Sequence, residues 1–299
     1  MKKFVLKTSL FTIILMFCLA FLEYYIFPNN NNQMTLKNDL IMNSNKVDVM
    51  ILGNSHTFFG VNPDESDFKM INIANKGRKL ETDYYILKNA TNLNVDYILI
   101  PISHFTLLAG ELSSKERRLY YRFFNIENYS QSIMKNHLIF NEPFRELIHG
   151  VFFTHKKHHS EYITKLGWKP EEKNYVKDKK EIIDRINSME KDANNNQHIN
   201  RNLKYLDSII SLGSKRNISI VLITPPYHKD YIEYRNESYH KFIDSTLNRK
   251  QNSKNKILYI NGDSLQIKND YYYKNADHLN TNGAKIFTKK IDSILKINS

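Results

Sequence analysis

Five short runs of β-branched and other apolar residues punctuate this chain, each shorter than a typical helix and too continuous for a strand with one wet face. They are Val47-Asp48-Val49-Met50-Ile51-Leu52, Ile71-Asn72-Ile73, Tyr97-Ile98-Leu99-Ile100, Ile218-Ser219-Ile220-Val221-Leu222-Ile223 and Ile257-Leu258-Tyr259-Ile260. Such runs belong to strands buried on both faces. Residues 81–93, 202–212, 239–248 and 282–297 carry an amphipathic pattern and read as helices. Strands alternating with helices imply a three-layer α/β/α fold, a parallel sheet of flavodoxin-like type with helices on both faces. About residues 111–200 are rich in Lys, His and aromatics and exceed any simple crossover. They read as a helical insertion that shapes one edge of a site. With 41% hydrophobic residues and only 9 Gly and 7 Pro in 299, the chain is neither collagen-like nor wholly disordered.

Phe4 to Phe27 form a nearly continuous apolar stretch, interrupted by Lys7 and Glu23, after the basic start Met1-Lys2-Lys3 and before Pro28. That length spans a bilayer, and the basic residues are expected to stay cytoplasmic. Residues 1–28 therefore read as an uncleaved, single-pass anchor with the body on the non-cytoplasmic side. The alternative is a cleaved signal peptide, because the uncharged centre from Thr8 to Leu22 is short. A lipoprotein would need a small residue before Cys18, where Phe17 stands. Residues 29–45 are polar and without periodicity, and read as a linker to a domain over 46–299. The single cysteine excludes an intrachain disulfide framework and any cysteine-based zinc site. A net charge of +12 favours anionic partners. No recognition helix or aromatic RNA-reading pattern accompanies it, so no nucleic-acid partner is expected.

In an open parallel sheet, reactive groups collect where strands end at their carboxyl termini. The first strand ends in Gly53-Asn54-Ser55-His56, which places Ser55 at a strand-to-helix corner as a nucleophile or, equally, as a helix cap. Asp277-His278-Leu279-Asn280 precedes the last helix; by itself His278 reads as a surface or capping histidine, but paired with the Ser55 block it is the candidate base for a serine hydroxyl. Gly262-Asp263-Ser264-Leu265 lies too close to His278 in sequence, without a following helix, and reads as a loop. Thr224-Pro225-Pro226-Tyr227-His228 follows a strand and reads as a crevice wall, either a rigid structural turn or, with Tyr227 and His228, a set of candidate substrate contacts beside Asn54. Trp168 either stacks on sugar or fills the core of the insertion. His155-Lys156-Lys157-His158-His159 lacks a nearby carboxylate and reads as a solvated basic stretch rather than a metal site. Nothing in the sequence suggests a nucleotide, metal or redox cofactor.

Over residues 46–298 these motifs resemble the SGNH (GDSL-type) hydrolase superfamily, especially its membrane-anchored bacterial branch acting on cell-envelope polysaccharides. The resemblance implies Ser55 as nucleophile in Gly53-Asn54-Ser55 and His278 as base in His278-Leu279-Asn280 with Gly283. It also points to Gly77, in Asn72-Ile73-Ala74-Asn75-Lys76-Gly77, as a backbone oxyanion donor. Two positions depart from the pattern. Ser103, in Pro101-Ile102-Ser103-His104, stands where the family offers an oxyanion-binding Asn. Asn275 stands at the acid's usual place three residues before the histidine. Asp277 is the substitute acid if the loop is shifted, although adjacent side chains usually diverge; the alternative is an acid-free dyad or a degenerate site. The function implied is a serine-dependent esterase or O-acyltransferase acting on envelope polysaccharide or a small acyl ester. A noncatalytic glycan-binding or assembly protein is the competing reading.

Overall fold

The computed structural model describes residues 1–26, 32–124, 126, 162–190, 196–251 and 256–298. The chain forms two compact units, one of residues 1–34 with 112–160 and one of residues 35–111 with 161–299. In the first, helix α1 (Lys2–Ile26) contains, over Lys2–Phe21, a stretch long and apolar enough to cross a membrane. Helix α6 (Ser114–Phe123) starts with a capping box: Ser113 Oγ accepts from Glu116 N at 3.2 Å, and Glu116 Oε2 accepts from Ser113 N at 2.9 Å.

The second unit is built on a five-stranded sheet in the order β2-β1-β3-β4-β5, every pair parallel. The strands are β1 (Lys46–Ile51), β2 (Met70–Asn72), β3 (Asn94–Pro101), β4 (Ser219–Ile223) and β5 (Ile257–Ile260). This is the flavodoxin-like order, in which the chain leaves β1 for one neighbour and crosses back to the other. Alternation along the strands divides the buried residues between two layers. Val49, Ile51, Leu99, Val221 and Ile223 share a core with Phe287, Ile291 and Leu295 of helix α11 (Thr281–Ile297). The opposite face meets helix α8 (Asn196–Lys215), close enough that a Cβ on Gly213 would stand 2.6 Å from Ile220 Cδ1. Helices α4 (Leu80–Asn89) and α10 (Glu237–Lys250) complete the layers, so the predicted fold class is the observed one.

Other elements depart from the sequence expectation. Residues 29–45 were expected to be a linker, but Asn32–Asn43 form helix α2. Its Lys37 and Ile41, one turn apart, are buried. The Lys37 amine donates to Ala74 O and lies 4.2 Å from the Phe58 ring centre, and burial pushes its pKa well below the usual lysine value. A lysine on the buried face hides the apolar period that identifies such helices. In the 111–200 interval, residues 162–178 form no helix and are tied instead to β2 and to Phe59. Asn72 N donates to Leu166 O at 2.8 Å, and the Trp168 indole donates to Phe59 O at 2.7 Å. Trp168 is therefore buried structure rather than an exposed sugar platform. The interval regains helix at α7 (Lys179–Glu190). The basic stretch 155–159 lies outside the described residues.

Gly53, with φ +101, ends β1 in the left-handed region. A Cβ there would meet Pro101 Cδ at 2.2 Å. Gly53→Ala therefore combines backbone strain with a collision against a rigid ring. It is expected to cost about 2 kcal/mol or more, read as a lowered urea midpoint; an unchanged midpoint would show that the turn relaxes freely.

Candidate active site

The turn after β1 is held from three sides. Gly53 N donates to Asp83 Oδ1 at 3.1 Å, and Asn75 N donates to Gly53 O at 3.0 Å. Asn54 then caps helix α3 (Ser55–Gly60), its Oδ1 accepting from His56 N at 3.1 Å. Its amide donates to Thr106 Oγ1 at 3.0 Å and Ser103 Oγ at 3.3 Å. Ser55 is left at the first helical position, half-buried, with its hydroxyl at the carboxyl end of the sheet.

The histidine arrives on a hairpin of β6 (Tyr273–Asn275) and β7 (His278–Leu279), joined by Ala276 and Asp277. Asn280 caps α11 by accepting from Gly283 N at 3.0 Å, which fixes the hairpin's exit. His278 Nε2 lies 2.7 Å from Ser55 Oγ. The two residues expected to meet from opposite ends of the domain are thus in hydrogen-bonding contact.

Asp277 does not diverge from its neighbour. Opposed directions hold along an extended strand, but Asp277 occupies the hairpin turn, and its Oδ1 lies 3.1 Å from His278 Nδ1. Asn275 Oδ1 is also 3.1 Å from Nδ1, and it accepts from the backbone N–H of His278 at 2.9 Å. Two side-chain oxygens therefore converge on Nδ1, favouring a proton there and a lone pair on Nε2 facing Ser55. Burial alone would push the Asp277 carboxyl up, but the facing His278 and the guanidinium of Arg185 outweigh it and hold it well below the usual carboxylate range.

Arg185, on α7, was not singled out in the sequence. Its Nε donates to Asp277 Oδ1, and its Nη2 lies 3.1 Å from His278 Nδ1. No motif marks it, because it approaches from the interval between β3 and β4. In the sequence His56 is marked only as the residue after Ser55. Its ring stacks on His278 with centroids 4.7 Å apart and planes at 12°. Burial, and then His278, push its pKa well below the usual histidine value. Phe59, one turn after Ser55, meets the His278 ring edge-on at 5.6 Å. His56, Asp277 and His278 have ligand atoms within 4.8 Å of one another, the spacing of a metal site. The Arg185 guanidinium bonded to that carboxylate already supplies the cation, and the His278 Nε2 lone pair is committed to Ser55.

Asn54, Ser103, His228 and Tyr227 are taken up in structural contacts. The Asn54 side chain is 1% exposed and fully engaged, so it positions the turn rather than meeting substrate. Ser103 is buried as the cap of helix α5 (His104–Leu108), where its hydroxyl accepts from Thr106 N at 3.2 Å. His228 is wholly buried as the cap of helix α9 (Lys229–Tyr234); Nδ1 accepts from Asp230 N at 3.2 Å and Nε2 pairs with Asp270 at 3.0 Å. Neither its position nor that of Ser103 offers an atom to a substrate. Tyr227 is buried against Tyr231, with centroids 4.4 Å apart, and edge-on to His56 at 6.0 Å. Gly77 lies exposed in a turn with φ +64, open space where a Cβ would be. Gly262–Leu265, expected to be a loop, form one short 3-10 turn capped by Asn261, and the Ser264 hydroxyl donates to Asn261 O at 2.6 Å.

No protein-family model matches the chain, and no curated protein matches it. Among solved structures it is similar to a Streptococcus pneumonia protein provisionally described as a platelet activating factor, at 11% identity and a TM-score of 0.46. That match covers 96% of this chain and 99% of the other. A likeness at that level leaves function to the geometry of Ser55, His278 and their partners.

The carboxylate behind the nucleophile turn has its own pH signature. Burial pushes the Asp83 carboxyl up to about 6, against the opposing Arg78 guanidinium at 3.5 Å and the Gly53 N–H. An unfolded aspartate titrates near ~3.9, so the folded state binds this proton more tightly. The stability it contributes is complete below about 4 and is lost as pH rises through about 6, a span of about 3 kcal/mol. Asp83→Asn keeps an oxygen for Gly53 N. It is expected to flatten the stability curve across that window, read from denaturant midpoints at stepped pH; an unaltered slope would place the titration elsewhere.

Proposed function

We propose that this chain is a serine-dependent esterase or O-acyltransferase, working through an acyl-enzyme on Ser55. The observation that carries the reading is the 2.7 Å contact between Ser55 Oγ and His278 Nε2, two residues 223 positions apart in sequence. A hydroxyl and an imidazole brought together at the carboxyl end of a parallel sheet, with a carboxylate behind the imidazole, form the arrangement that activates a serine.

In the proposed reaction Ser55 Oγ attacks an ester carbonyl carbon as His278 Nε2 takes its proton. The carbonyl electrons move to oxygen, and the backbone N–H groups of Ser55 and Gly77 hold that oxyanion. Collapse expels the alcohol, which takes the proton from His278. Water or a sugar hydroxyl then attacks the acyl-serine, giving its proton to His278, and collapse breaks the acyl–Oγ bond, releasing the acid or the new ester as Ser55 Oγ takes that proton back. Asp277 stabilises the imidazolium formed at each step.

The apolar N-terminal helix supports envelope polysaccharide as the substrate class. Helix α1 is long and apolar enough to cross a bilayer, and the basic residues before it favour the cytoplasmic face. The larger unit then works on the opposite face, where envelope polysaccharides carry acyl esters. The enzyme so placed needs no cofactor for the steps above.

The full-length chain in detergent, assayed with an activated acetyl ester, is expected to turn it over and to lose at least ~10³-fold in Ser55→Ala. A serine-reactive phosphonate is expected to label Ser55. Labelling elsewhere, or hydrolysis indifferent to the substitution, would end the assignment. Asp277→Asn is expected to lower kcat by about 10²-fold, less than the ~10⁴ of the same change in the serine-protease triad, because Asn275 also faces Nδ1. A loss as large as that of Ser55→Ala would assign Asp277 a larger share.

A further inference from the structure

The acid of this site stands beside its histidine rather than three residues before it, and geometry has to bring it to bear. Asp277 carries a buried carboxylate, with no exposed side-chain area. Its two side-chain hydrogen-bonding partners among the described residues are His278 and Arg185, both on Oδ1. Oδ2 has no partner, and it faces His56 Nε2 at 3.8 Å. His56 does not supply a proton there. Its Nδ1 is 2.9 Å from Asn54 Oδ1, an oxygen identified by its bond from His56 N, so the ring proton sits on Nδ1 and Nε2 presents a lone pair. Arg185 is thus the donor, outside the dyad itself, that holds the carboxylate.

Helix α7 is fastened for that task. Ile182 and Ile186, on either side of Arg185, are buried against Tyr227, Tyr231 and Ala276, the last being Asp277's neighbour in the hairpin turn. At the helix end, Glu190 Oε1 lies 2.6 Å from His104 Nδ1 and accepts from Asn236 N at 3.3 Å. Arg185 is therefore delivered from a packed helix, not from a freely rotating surface side chain.

We propose that Arg185 is a positioning residue that makes the displaced acid work, drawing the Asp277 carboxylate onto His278 Nδ1 so that Nε2 stays free to take the Ser55 proton. The inference rests on the reaction proposed above. The 3.1 Å contact of Arg185 Nη2 with Nδ1 has an opposite reading. Were that contact the dominant one, Nδ1 would accept, Nε2 would carry the proton, and Arg185 would be a latch that disables the base. The oxygens of Asp277 and Asn275, both 3.1 Å from Nδ1, oppose the latch with two acceptors against one donor. The first of them is anionic, and the Arg185 guanidinium donates to that carboxylate through Nε, a charge-assisted bond the neutral ring nitrogen cannot match.

The experiment compares Arg185→Met, Arg185→Lys, Asp277→Asn and the double variant Arg185→Met/Asp277→Asn in the full-length chain. Arg185→Met is expected to lower kcat by about 10–100-fold with KM unchanged, and Arg185→Lys to recover part of the loss. The double variant is expected to be no slower than Asp277→Asn alone, because both substitutions remove one contact. Faster turnover in Arg185→Met would establish the latch and overturn the proposal. So would losses that multiply in the double variant, or a loss confined to KM. Nitrogen-15 shifts of the His278 ring provide a readout independent of turnover. The proton is expected on Nδ1 in the wild type, and a mixed tautomer in Arg185→Met; no change between them would also overturn it. Absence of any Ser55 labelling or ester turnover in the wild type would defeat the proposed reaction, while the ring shifts would still report what Arg185 does to Asp277 and His278.

Discussion

Everything at this site depends on how the end of β1 is gripped. β1 connects onward to β2 on one side while its other neighbour β3 connects onward to β4 on the opposite side, leaving a crevice between the carboxyl ends of β1 and β3. Gly53 turns the chain there under Pro101, with its N–H on Asp83 and its carbonyl on Asn75 N. The Asn54 side chain then ties the turn to Ser103 and Thr106 at the end of β3. A hydroxyl on so constrained a corner loses little conformational freedom on engaging a base, which is one contribution a scaffold makes to such chemistry.

The histidine is constrained differently. A two-residue hairpin turn holds Asp277 and His278 side by side, and Asn275 folds over their backbone N–H groups. His56 covers one face of the imidazole and Phe59 meets its edge, so ring rotation is limited from two directions. Both rings come from α3, the helix that carries the nucleophile. One six-residue element therefore supplies Ser55 and two of the walls that orient its base.

The sheet was legible because its strands are buried on both faces and so are written as uninterrupted apolar runs; β5 begins and ends where its run does. The long helices were legible by their period. Helices α3 and α5 are five or six residues long, below one useful repeat of that period. Ser55 and His278 were readable from their blocks. The secondary contacts were not, and for one reason: polar residues just past a strand are first claimed by the helix that follows. Asn54, Ser103 and His228 each cap such a helix, and their side chains are consumed by backbone N–H groups. Arg185 escaped because its meaning lies in a contact 92 residues away.

Two arginine–carboxylate pairs bracket the turn that carries Ser55. Arg78 with Asp83 stands behind Gly53, and Arg185 with Asp277 stands behind His278. Desolvating such pairs offsets much of their Coulomb attraction, so neither is a sound source of net stability. What each does is fix a direction. Asp83 spends an oxygen on Gly53 N, and Asp277 spends one on His278 Nδ1. A neutral side chain could fill either space, but without a charge to be matched nothing would compel the oxygen to point at its partner. Burying the charge makes misorientation costly, and that cost is what transfers the rigidity of the sheet to the reacting atoms.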